Sequence, residues 1–110
     1  MNENSLLINE QISAYESCHL ERFLNFYSKD IVVFKNGEKL LKNYESFIEY
    51  YKNSFTQNTG HKVEVLNRIS FKSHVIDHEK ITGRVDGLDL QAIVNYKIIS
   101  GKIVRVDFIM

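Results

Sequence analysis

The chain has no proline, a single cysteine, only five glycines in 110 residues, and no excess of charge of either sign. Each scarcity excludes something. With so little proline and glycine there is no flexible linker, and no low-complexity stretch or internal repeat is visible. One domain over residues 1–110 is therefore expected. Cys18 has no second thiol to pair with inside the chain, so nothing demands an oxidising compartment. Fourteen basic residues cancel fourteen acidic ones. A surface that tracks phosphates needs a basic excess or stripe, so nucleic acid is not expected as a partner. No apolar run approaches the roughly 20 residues needed to span a bilayer, which speaks against a membrane partner. The N-terminal residues Met1 to Ser5 lack a positive flank, and Leu6-Leu7-Ile8 is too short for a signal core. A cytoplasmic location is the resulting expectation.

What is present suits a globular protein. Hydrophobic residues make up 44% and charged residues 25%, enough for one modest core and too apolar for a disordered chain. In the first half the apolar spacing is helical. Leu7, Ile8, Gln11, Ile12 and Tyr15 predict a helix over 5–17 with Ser5 as its cap. Leu20, Phe23, Leu24 and Tyr27 predict a second over 19–27, broken by Ser28-Lys29-Asp30. Ile31 to Phe34 is a β-branched and aromatic strand, followed by the hairpin signal Asn36-Gly37 with Leu40 and Leu41 on the return arm. Asn43 reads as the cap of a third helix reaching about Thr56, with Tyr44, Phe47, Ile48, Tyr51 and Phe55 on one face.

From His61 the period changes to two. His61, Val63, Val65, Asn67, Ile69 and Phe71 share one parity, read as the apolar inner face. Further strands are predicted over 74–83, 88–99 and 102–109, joined by Lys72-Ser73, a loop from Gly83 to Gly87, and Ser100-Gly101. Short connections make these strands antiparallel neighbours, and the three helices must cover one face of their sheet.

Asp77 and Glu79 are the candidate catalytic pair. Two apart in a strand, they share a face with Val75 and Ile81 and lie about 6.6 Å apart at roughly 3.3 Å per residue. If that face lines a pocket, desolvation and mutual repulsion favour protonation of at least one, the condition for a general acid or base near neutral pH. If it faces outward, both acids meet water or a dimer partner. Asn67 either orients a ligand carbonyl or satisfies a bulge. His61, at a strand start, is expected as an exposed terminus. His74 and His78 fall on the opposite parity from the two acids, so neither a triad nor a metal site is expected. Cys18 has no basic neighbour beyond His19 and is expected to be inert. Tyr15, Phe23, Phe34, Phe47, Tyr51, Phe55 and Tyr96 are expected in the helix–sheet interior, where polar-tipped aromatics can line a pocket. Arg68, Arg105 and Asp107 are assigned to the outer sheet face. Leu66, Ile103 and Ile109 there suggest that a partner covers it.

The order of elements resembles the nuclear transport factor 2-like superfamily: two helices, Asp30 opening a strand, a hairpin, an aromatic third helix, then long strands ending in Gly101-Lys102-Ile103-Val104. Val63 to Ile69, and Val75 to Glu79 through Thr82-Gly83, are similar to its SnoaL-like, ketosteroid isomerase-related branch. The resemblance implies an α+β, cone-shaped barrel, with three N-terminal helices packed on a curved antiparallel sheet and a deep cavity. It also implies a homodimer through the outer sheet face. The isomerase site itself does not carry over. Lys35 stands near the place of that enzyme's aspartate base, Gln11 near its oxyanion-hole tyrosine, and Val94 near its protonated acid.

Two functions follow as expectations. One is cofactor-independent acid/base chemistry of isomerase, dehydratase or cyclase type on a small apolar molecule, with Asp77 or Glu79 moving the proton and Tyr15, Phe34, Tyr51, Asn67 and Tyr96 binding the ligand. The other is a non-catalytic small-molecule-binding or dimerisation module.

Overall fold

Along the chain, the computed structural model describes residues 2–57 and 59–110. It holds α1 (Glu3–Glu16), α2 (Leu20–Leu24), β1 (Tyr27–Lys35), β2 (Glu38–Leu41), α3 (Tyr44–Gln57), β3 (Lys62–Phe71), β4 (His74–Thr82), β5 (Leu90–Ile99) and β6 (Lys102–Ile109). The switch from helical to two-residue periodicity near His61 is thus the boundary between α3 and the four long strands.

The helix starts follow their caps. Asn2, not Ser5, caps α1: its side-chain oxygen accepts from the Ser5 amide at 2.8 Å, and Ser5 becomes a buried first-turn residue. Asn43 caps α3 as expected, accepting from the Ser46 amide at 2.8 Å. The second helix is shorter than its stripe predicts. Tyr27 opens β1 instead of ending α2, and Ser28-Lys29-Asp30 lies within that strand. Packing decides this, since the Tyr27 ring is held between Phe23 at 4.9 Å and Phe47 at 4.6 Å, centroid to centroid. Asn36 and Gly37 both take positive φ, 51° and 84°, and join β1 to β2 in the primed turn that a two-residue hairpin requires.

The strands form one six-stranded sheet in the order β2-β1-β6-β5-β4-β3. The four C-terminal strands are antiparallel neighbours, whereas β1 runs parallel to β6. Between β2 at one edge and β3 at the other the chain crosses over as α3, which packs on β1, while α1 lies on β3 and β4. Curved around these helices, the sheet buries Ile8, Phe23, Ile31, Phe47, Val75, Val94 and Ile103 at its core. No helix among the described residues is long and apolar enough to cross a membrane.

Two bulges reset which side chains point inward. Opposite β4, Val65 pairs with Glu79 but Asn67 pairs with His78, so Leu66 is an extra residue. Beyond it the parity inverts. Asn67, Ile69 and Phe71, expected inside, lie on the outer face, with Ile69 64% and Phe71 65% exposed. Arg68, expected outside, turns inward. A second irregularity, where Lys97 pairs with Arg105 and Ile98 with Ile103, leaves Val104 over and carries Ile103 into the core at 0% exposure instead of onto the outer face.

Candidate functional site

Strand β4 presents Val75, Asp77 and Glu79 to the interior, each 5% exposed or less. The inward alternative for the carboxylate pair is therefore the one realised, but the two acids meet different surroundings. Asp77 is fully buried and gripped by Arg68 from across the strand pair, Nε to Oδ1 at 2.6 Å and Nη2 to Oδ2 at 2.9 Å. The third guanidinium nitrogen of Arg68 donates to Asn9 Oδ1 at 2.7 Å and to the Ser5 carbonyl at 3.3 Å. The bulge at Leu66 makes this clamp possible, because without it Arg68 would face outward. Bidentate pairing and added hydrogen bonds are what a buried carboxylate needs to stay charged.

Glu79 has no such cation in contact. Its Oε2 accepts a hydrogen bond from the Tyr96 hydroxyl at 2.9 Å. Its carboxyl is pushed up to about 8 as the net result of burial, which raises it most, the Tyr96 hydrogen bond, which lowers it, the neighbouring Asp77, which raises it, and the Arg68 charge, which lowers it. A carboxyl in that position is largely protonated at neutral pH, yet ionises within reach of it.

Glu79 lines a cavity of about 330 Å³ between the helices and the sheet, within the lower part of the range for small-molecule sites. Gln11, Ile12 and Tyr15 of α1 and Tyr50, Tyr51 and Ser54 of α3 form one wall. Val33, Val63, Ile81, Tyr96 and Phe108 of the sheet form the other. Asp77 is not among the lining residues. Buried phenols dominate the polar lining. Desolvation raises Tyr15 to about 12 and Tyr27, Tyr51 and Tyr96 well above the ordinary phenol value, so all stay neutral hydroxyls. Tyr27 donates to Gln11 Oε1 at 2.6 Å, fixing the amide that lies at the cavity wall.

Of the expected ligand-binding residues, Tyr15, Tyr51 and Tyr96 line this cavity. Phe34 and Asn67 do not. Phe34 alternates away from the inward Val33 onto the outer face, where the Arg105 guanidinium stands 4.1 Å over its ring. Asn67 is exposed on that same face because of the bulge. His61, expected as an exposed terminus, is instead 7% exposed, with Nδ1 2.8 Å from the Tyr15 hydroxyl. Burial lowers its pKa and so favours the neutral ring. The sequence carries no signal for this burial beyond the neighbouring Gly60. Gln11, Tyr27, Tyr50, Ser54 and Arg84 also reach the cavity without having been singled out as site residues. His74 and His78 bond Asn95 at 3.0 Å and Gln91 at 2.7 Å on the side of the sheet away from the acids. Among the described residues no cluster could hold a metal ion.

No protein-family model matches the chain, and no curated protein matches its sequence. Solved structures match it closely in shape. An uncharacterised cystatin-fold protein from Novosphingobium aromaticivorans superposes with a TM-score of 0.86 at 17% identity, covering 100% of both chains. A candidate SnoaL-like polyketide cyclase from Shewanella putrefaciens gives 0.82 at 11% identity, over 98% of this chain and 79% of that one. TerC, co-crystallised with polyporic acid, gives 0.81 at 13% identity, over 99% and 92%. Identities this low carry the shape and not the chemistry. The chain has the α+β cone fold seen in cystatin-fold and nuclear transport factor 2-like structures.

Proposed function

We propose that the cavity binds a small, mainly apolar molecule with a carbonyl or hydroxyl oxygen, and that Glu79 moves a proton on it, in cofactor-independent chemistry of isomerase, dehydratase or cyclase type. The observation that carries this reading is a single one: a buried carboxyl, pushed up to about 8, on the wall of an open apolar cavity. In its neutral form Glu79 can donate to a ligand oxygen. In its ionised form it can take a proton from carbon beside a carbonyl and return it to another atom, so no electrons are gained or lost. Tyr96 orients the carboxyl, and Asp77, gripped by Arg68 and away from the cavity, raises the Glu79 pKa rather than reacting itself. TerC, a protein of similar fold, was co-crystallised with an organic molecule, polyporic acid.

The test is a thermal-shift screen of the wild type against carbonyl-bearing apolar metabolites, followed by turnover assays on Glu79→Gln. A stabilising ligand whose conversion is abolished in Glu79→Gln while binding persists is the expected result. Absence of any stabilising ligand, or full turnover by Glu79→Gln, contradicts the reading.

A second reading, a binding or dimerisation module, draws on the outer sheet face. Leu66, Ile69, Phe71, Ile99 and Ile109 are each 37% exposed or more. Apolar side chains of this size on one face fit a second copy of the chain. Sedimentation at micromolar concentration is expected to give a dimer that Phe71→Glu dissociates, and a wild-type monomer contradicts this.

A further inference from the structure

The cavity has a second polar end that the chemistry above does not use. Tyr15, Tyr50, Ser54, His61 and Arg84 line both the cavity and an adjoining vestibule of about 380 Å³, which Val85 and Asp86 complete. The backbone brings this group together. A Cβ on Gly83 would come within 2.2 Å of the Gly60 carbonyl oxygen, so the two loops touch main chain to main chain, with His61 on one and Arg84 on the other.

Both side chains have polar atoms left over. The Tyr15 hydroxyl lies 2.8 Å from His61 Nδ1, and the tautomer in which the phenol donates puts the ring proton on Nε2. That Nε2 is buried and has no hydrogen-bond partner among the described residues. Arg84 donates from Nε and Nη2 to Asp86 at 3.1 and 2.6 Å, which leaves its Nη1 without a partner among the described residues. Among the side chains lining the cavity, Lys35 and Arg84 carry charge once Glu79 is protonated and His61 neutral. In the vestibule Asp86 balances Arg84, so what Arg84 offers there is its Nη1 donor rather than net positive charge.

We propose that His61 and Arg84 form an oxyanion anchor, so that the ligand is an otherwise apolar molecule with a carboxylate at this end and its reacting oxygen at Glu79 and Tyr96. This deepens the proposed function and rests on it. Desolvation fixes the orientation. The Arg84 side chain is 30% exposed, so a carboxylate there keeps some water and gains a charge-assisted hydrogen bond. At Glu79, 5% exposed, only a neutral oxygen can be buried cheaply.

The probes are 2-naphthoate and naphthalene, which share an apolar body and differ by the carboxylate, titrated calorimetrically into the wild type, Arg84→Gln, His61→Phe and Glu79→Gln. The wild type is expected to bind 2-naphthoate roughly tenfold or more tightly than naphthalene. Arg84→Gln and His61→Phe should each lose most of that preference while keeping affinity for naphthalene, and Glu79→Gln should keep the preference. Equal wild-type affinities, or a preference that survives both Arg84→Gln and His61→Phe, overturn the anchor and leave the cavity standing. So does a preference that only Glu79→Gln removes, because the carboxylate then sits at the wrong end. If neither probe binds, the cavity reading fails first and the anchor with it.

Discussion

Tyr96 and Glu79 meet by a 2.9 Å hydrogen bond across the inner face of the sheet, the phenol donating to the carboxyl. Such a bond is stronger to the carboxylate than to the acid, so it is the main brake on what burial does to Glu79. Tyr96→Phe should therefore push the Glu79 carboxyl further above 8. The protonated carboxyl's infrared band, followed against pH, reads this directly. A band that disappears at lower pH in Tyr96→Phe than in the wild type contradicts the assignment.

Arg68 and Asp77 should move Glu79 in opposite directions. Asp77→Asn removes a neighbouring negative charge and should lower the Glu79 pKa. Arg68→Met removes a stabilising positive charge and should raise it. The two should also differ in stability. Arg68→Met strands a fully buried carboxylate and should cost about 3–5 kcal/mol. Asp77→Asn leaves an Arg68 that is 16% exposed and can reach water, so it should cost less. Urea denaturation of both variants checks the order, and equal losses count against it.

Stability should fall as pH rises through neutrality. Glu79 holds its proton more tightly folded, up to about 8, than at its ordinary value of 4.5, so the folded state binds more protons between those limits. Its contribution is fully present below about 4.5, declines across that window, and is gone above about 8. The slope should approach about 1.4 kcal/mol per pH unit in the middle of the window. Glu79→Gln should flatten the curve by that amount between about pH 5.5 and 7, measured as urea midpoints at a series of pH values. Parallel curves for the two proteins would refute it.

Gly83→Ala should be far more damaging than Gly37→Ala. Both glycines have positive φ, 76° and 84°, which costs an alanine about 1–2 kcal/mol. Only at Gly83 does the new Cβ strike backbone, 2.2 Å from the Gly60 oxygen, whereas nothing lies within 4 Å at Gly37. Thermal unfolding of the pair should show a clearly larger loss for Gly83→Ala, together with broadened His61 and Arg84 side-chain NMR signals. Equal losses contradict the close loop packing.

Most of the fold was legible in the text because each element carries its own chemistry. Asn43 caps α3, Asn36-Gly37 turns the hairpin, and the change of period at His61 marks the sheet. The helix–strand boundary at Tyr27 was not legible, since its ring suits a helix stripe and a strand equally and only Phe23 and Phe47 decide. In the site, strand alternation put Glu79 on one face with Val75 and Asp77 but left open whether that face points inward. Arg68 and Asn67 could not be placed, because a one-residue bulge at Leu66 leaves no mark in the composition yet exchanges every inward and outward side chain after it. Ile69 and Phe71 reinforced the wrong parity by being apolar on an exposed face. Phe34 misled in the same way, its ring lying under Arg105 rather than in the cavity.

Proton transfer at this site depends on one protonation state. Carbon-13 NMR of carboxyl-labelled protein, with Glu79→Gln used to assign the resonance, follows the Glu79 carboxyl directly from pH 4 to 10. A midpoint near 8, with the acid form dominant at pH 7, is what burial, Tyr96 and Asp77 together require. A midpoint near the ordinary 4.5 would mean that water reaches the carboxyl freely, and would remove the basis for proton transfer at this site.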